Sequence, residues 1–186
     1  MPVSPFEIIV GPADVWVAAV GTAFPAVSAS PAADWKSLGK TDGAVSVSHA
    51  QTQAKIRVDQ KTPPLKIVRT EEDITVSFGL AEITLETYAR ILNNATVTPD
   101  AGPPAIKSFP LHQGVDVAQF AMLIRGGSPY MNANMQYQLP KVSQSGAPGI
   151  TFSKGDKAVL STEWAVLYDS TQSASFELGK LVAQTA

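Results

Sequence analysis

Hydrophobic and polar positions alternate along most of this chain with a period of two, the mark of strands whose two faces meet different surroundings. Phe6 to Val10 is a short β-rich run. A Gly11-Pro12-Ala13-Asp14 turn follows, then Val15 to Val20, and together they predict a hairpin. Residues 21 to 34 mix Gly, Pro, Ala and Ser and predict a loop. An Asp34 to Gly43 turn segment leads into Val45 and Val47, which alternate with Ser46 and Ser48. Past a polar break at Gln51 to Gln53, Ile56 and Val58 alternate with Lys55, Arg57 and Asp59. These two arms predict a long hairpin at about 43–60, each arm with one apolar and one polar face. Pro63 and Pro64 lack the amide donors that pairing needs, so a bend or a sheet edge is expected there.

The cleanest alternation sets Ile74, Val76, Phe78 and Leu80 against Thr75, Ser77 and Gly79. The period then changes. Leu85, Tyr88, Ala89 and Leu92 fall on one face of a helix, with Thr84 as N-cap, Glu86 in the first turn and Asn93-Asn94 as the stop. Residues 95 to 110 hold Pro99, Gly102, Pro103, Pro104 and Pro110 and predict an irregular connector. Val117 to Arg125 is a nearly continuous apolar strand. In the next run Met131, Ala133, Met135, Tyr137 and Leu139 face one way and Asn132, Asn134, Gln136 and Gln138 the other. A 143–149 loop precedes a strand through Ala158, Leu160, Thr162, Trp164, Val166 and Tyr168, and Phe176, Leu178 and Val182 mark a last one. The expected fold is mainly β: a barrel or sandwich of about eight or more mostly antiparallel strands, with one short flanking α-helix, in a single domain over 1–186.

Composition narrows what such a sheet could do. Only 16% of the 186 residues are charged, against about 25% in a typical soluble domain. The remaining polar surface is Ser, Thr, Gln and Asn, which is cheaper to desolvate than charge and suits extensive protein contacts. The net charge is −2 and the pI about 5.6. No run of Lys or Arg supplies the basic face with which proteins grip phosphates. There is no cysteine, hence no disulfide, thiolate ligand or cysteine nucleophile. Met1 to Pro5 lacks the charged and apolar regions of a signal peptide, and no apolar stretch nears the roughly 20 residues of a membrane span, so synthesis in a cytoplasm is expected.

No catalytic constellation emerges. His49 and His112 have no second ligand-type residue at metal spacing. A nucleophile elbow is absent, and the one helix begins with a glutamate where a phosphate would sit. Glu71-Glu72-Asp73 reads as a solvated turn. The expectation is no enzyme, no metal and no cofactor.

The order of motifs resembles the major tail tube proteins of long-tailed, siphovirus-type bacteriophages. The resemblance rests on the Gly11 to Val17 hairpin and on Trp35, Leu38, Gly39, Thr41 and Gly43 opening the long hairpin. It continues through Ala81 to Thr87 before the helix, Phe120 to Gly126, and the Phe152 to Asp156 turn. It implies hexameric rings stacked into a hollow virion tail tube, through which DNA passes without specific binding. The partners would be copies of the chain itself and other tail proteins at the tube ends. Val45, Val47, His49, Gln51, Gln53, Ile56 and Val58 are the expected inter-subunit residues. Asn132, Asn134, Gln136 and Gln138 would line the lumen, or else lie on an outer, solvent-facing strand. Two other readings stand beside this one. Contractile injection systems have tube proteins of related fold, and a β-sandwich carbohydrate-binding or adhesin module would use Trp35 as an exposed platform.

Overall fold

In the computed structural model the residues described are 11–130, 133–152 and 154–185. The predicted Phe6 to Val10 run, Met131 and Asn132 lie outside them. The fold is mainly β, with β1 (Asp14–Ala19), β2 (Lys36–Ser37), β3 (Thr41–Val58) and β4 (Lys61–Leu80) before α1 (Leu85–Ile91). After it come β5 (Thr98–Asp100), β6 (Ile106–Ser108), β7 (Gln119–Gly127), β8 (Asn134–Gln144), β9 (Gly149–Thr151), β10 (Val159–Val166) and β11 (Lys180–Ala183). The main sheet has the order β2-β1-β7-β8-β10-β4-β3, every pair antiparallel, with β11 added to β8 and β9 to β10.

Burial on both faces explains the pattern of β7. Phe120, Met122 and Ile124 join Val15, Val17, Val76, Phe78, Leu80, Leu160, Trp164 and Ile91 in the main core. Ala121 and Leu123 point the other way and pack with Ala18 and Trp35. A strand covered on both sides reads as a continuous apolar run. Ile74, Val76, Phe78 and Leu80 are buried as their alternation predicts.

The helix starts where expected. Thr84 Oγ1 accepts from the Thr87 amide at 3.1 Å, and Asn93 and Asn94 end the helix with positive φ of 76° and 55°. Of the expected face, Ala89 and Leu92 are buried and Tyr88 packs against the core, while Leu85 is half-buried; Ile91, outside that face, is fully inaccessible. A seven-residue helix is too short for a periodic stripe to settle its orientation, and the chain reversal at Asn93 turns its last residues inward.

Several expectations change. Glu71-Glu72-Asp73, expected at a turn, lie within β4 and pair with Ala50 to Thr52, and Phe176 and Leu178 fall before the last strand, β11. The two arms expected within 43–60 are one continuous strand, β3, and the reversal lies at Asp59-Gln60. Gln51 to Gln53 contains no turn-forming residue, so the strand runs through it. The second arm passes through Pro63-Pro64, which fall in an irregularity between the pairs Ile56↔Lys66 and Val58↔Lys61. The 95–110 connector contains the small β5–β6 hairpin, tied to the helix by Lys107 Nζ and Glu86 Oε1 at 2.7 Å. Finally, Tyr168 lies past the end of β10 and is exposed.

Candidate assembly surfaces

The paired root of the hairpin belongs to the body of the protein. β10 pairs with Thr75 to Leu80 of β4, and Val45 and Val47 are half-buried against the core. Beyond that root β10 no longer covers β4. From Ser48 to Asp73 every residue is exposed except half-buried Pro64, so the hairpin leaves the body as a two-stranded ribbon. Such a ribbon is marginal by itself in water. Of the residues expected at subunit contacts, Val45 and Val47 sit at the root, while His49, Gln51, Gln53, Ile56 and Val58 lie along the projecting part.

The projecting ribbon exposes Ile56 at 49%, Val58 at 39%, Leu65 at 56%, Ile67 at 52% and Val68 at 38%. The last three are not among the expected contacts, because the expected hairpin ends at about residue 60, before the bend or sheet edge expected at Pro63-Pro64. The Leu65-Lys66-Ile67 alternation just after the prolines is the signal that would have found them. The fold also gathers Lys55, Arg57, Lys61, Lys66 and Arg69 on the tip. Dispersed in sequence, they form a basic surface that the absence of a Lys/Arg run had concealed.

The amide strand does not supply an open polar face. Gln136 is fully buried, its Nε2 donating to Pro25 O at 2.8 Å and its Oε1 accepting from Arg125 Nε and Nη2 at 3.1 and 2.8 Å. Gln138 is buried in a cleft lined by Gly21 to Ala26, Pro140, Gln172, Phe176 and Lys180. Gln136 and Gln138 therefore cannot line a lumen in this protomer. Alternation told the two faces apart, but the loop that folds back over the polar one was not legible. Asn134 remains exposed, and Asn132 lies outside the described residues.

Trp35 is only 5% exposed. Its Nε1 donates to Ala23 O at 3.1 Å, and its ring packs on Phe24 with centroids 5.1 Å apart. The only loop tryptophan is thus a core residue, which removes the proposed carbohydrate platform. Among the described residues no group of three His, Asp or Glu side chains is placed to hold a metal ion.

A family model for phage tail tube proteins matches residues 2–175. The chain belongs to that family. It is the family that the order of its motifs resembles. A comparison with curated proteins gives no match. As a tail tube protein the chain is a structural component of the virion tail, made in the host cytoplasm. The family is structural rather than enzymatic, and membership implies self-assembly into a tube together with other tail proteins.

Proposed function

We propose that this tail tube protein closes into hexameric rings, that the rings stack into a hollow tube, and that DNA travels through the bore during ejection. The observation that carries this reading is the projecting ribbon. Five large aliphatic side chains are exposed on an unsupported two-stranded element, Ile56, Val58 and Val68 on one face and Ile67 on the other, and exposed apolar area on both faces needs a partner. In a ring or stack, each ribbon lies against neighbouring copies and its unpaired edges are covered. His49, Gln51, Gln53, Ile56 and Val58 would make those contacts, with Leu65, Ile67 and Val68 added from β4. Val45 and Val47 would fix the angle at which the ribbon leaves the body.

Asn134 is the amide we assign to the lumen, where a neutral side chain neither holds nor repels phosphate strongly. Negative-stain microscopy of the purified chain, with its mass in solution, tests the reading. Hexameric rings or tubes of uniform bore are expected. A protein that stays monomeric over a wide concentration range would overturn it.

A further inference from the structure

Charge is segregated along the hairpin. Lys55, Arg57, Lys61, Lys66 and Arg69 are five of the chain's 14 basic residues, and only one acid, Asp59, lies among them. The rest of the chain holds nine basic residues against fifteen acidic ones, so a tip of formal charge +4 stands on a remainder of −6, which together give the net −2. At the neck of the same ribbon stand Glu71, Glu72 and Asp73, the only three consecutive acids in the sequence. Of these charges only Arg69 and Glu72 pair, at 3.2 Å; Lys55, Lys61, Lys66, Glu71 and Asp73 form no ion pair among the described residues.

Register repeats this arrangement on both faces. Gln51 pairs with Glu72 and Lys55 with Ile67, so Lys55 and Arg57 share one face with Glu72. Ala50 pairs with Asp73, Thr52 with Glu71, Ile56 with Lys66 and Val58 with Lys61, so Lys61 and Lys66 share the other face with Glu71 and Asp73. Across the two faces the cations lie two to eight β3 residues beyond the acids, at most roughly 27 Å at the rise of a strand.

We infer that the basic tip of one hairpin seats on the Glu71-Glu72-Asp73 neck of the next copy, a head-to-tail contact that sets the stagger between successive subunits. This rests on the tube reading above. Rotation about a tube axis puts equivalent residues at one level, tip beside tip, where like charges repel. Displacement along the ribbon sets cation on acid instead, and a heterologous contact of this kind propagates without closing. Double-stranded DNA is the other polyanion a basic tip could meet. A duplex covers one face, whereas this tip is cationic on both. Each of Lys55, Lys61 and Lys66 also lies across the ladder from Ile67, Val58 or Ile56, a mixture suited to a protein surface.

Charge reversal on one face tests the contact. Lys61→Glu with Lys66→Glu reverses the tip, and Glu71→Lys with Asp73→Lys reverses the neck. All four positions are exposed, so circular dichroism of each monomer should match the parent. Each double variant alone should raise the critical concentration for tube growth on the order of tenfold at about 0.1 M salt, where the screening length is about 10 Å. The quadruple variant, and an equimolar mixture of the two doubles, should regain assembly. Tube growth by the parent protein should itself weaken as sodium chloride rises.

Salt-indifferent growth by the parent, or double variants that assemble as it does, would overturn the contact and leave the tube reading standing. The same holds if neither the mixture nor the quadruple variant recovers. A tip-reversed variant that assembles normally but no longer shifts a DNA duplex that the parent shifts would reassign the tip to nucleic acid. A parent protein that never forms tubes would remove both readings.

Discussion

The guanidinium of Arg125 ties three parts of the molecule together. Besides its two bonds to Gln136 Oε1, it donates from Nη1 to Ala29 O at 2.8 Å and from Nη2 to Ala26 O at 3.2 Å, and its Cζ stands 5.9 Å from the Trp16 ring centroid. Partial burial lowers its pKa, because leaving water disfavours the charged form. A lysine cannot reproduce this planar fork. Arg125→Lys should therefore lower stability by about 1.5–3 kcal/mol in urea unfolding, the range for hydrogen bonds to charged groups. Asn134→Lys tests the lumen assignment: tubes should form, but DNA ejection should slow and recover as salt rises. Unchanged ejection would place Asn134 on the outside. Asp169 accepts from the Thr171 hydroxyl at 2.7 Å, the Thr171 amide at 3.1 Å and Gln172 Nε2 at 3.2 Å, and the Thr171 bonds hold its pKa below the usual 3.8. A carboxylate depressed in the folded state adds stability above its unfolded value and loses it as pH falls through the folded one. Asp169→Asn should flatten the fall in melting temperature below about pH 4.

Elements show how far local pattern reaches. The N-cap of α1 was legible because a threonine hydroxyl satisfies an amide that no turn of helix precedes. Thr84→Ala should cost about 1 kcal/mol. Ile91 was not legible as the anchor, since the turn at Asn93 decides which way the helix end faces. Asn93 holds that turn by donating from Nδ2 to Asp116 O at 2.8 Å while its Oδ1 accepts from the Ala118 amide. Ile91→Ala should cost roughly 2–5 kcal/mol in thermal or urea unfolding. An unchanged midpoint would put Ile91 outside the core. For the hairpin, period two gave the inward set at the root, Val45 and Val47, while from Ser48 to Val58 both faces of β3 are exposed. It did not locate the reversal, because Asp59 continues the Lys55-Arg57 alternation, which masks its turn preference.

For the whole molecule, the body is a sheet covered on both faces at β7 and on one face at β10 and the root of β4, and the ribbon is an appendage with little cover. Removing residues from one arm alone would strand the other. Replacing residues 52–71 with an Asn-Gly turn keeps Gln51 opposite Glu72 and supplies the backbone that a two-residue hairpin favours. That variant should keep the circular dichroism of the parent and a melting temperature within a few degrees, yet form no tubes by microscopy. Normal tubes would mean that the ribbon is dispensable for assembly.

What the sequence determined by itself is what alternation and end signals encode locally: a mainly β chain, the inward set from Ile74 to Leu80, a short helix capped by Thr84, and an order of motifs sufficient for the family. Tertiary structure alone decided what covers each face. The loop over Gln136 and Gln138 is held by Arg125, about a hundred residues away in sequence from the carbonyls it binds. Trp35 is buried because residues 21–34 fold back onto the sheet. The ribbon is exposed because β10 pairs with β4 only from Thr75 onward. The basic tip exists because a reversal at Asp59-Gln60 brings cations from two arms together. A period reports that two faces differ; only the packing of distant segments settles which face meets core, water or another copy of the chain.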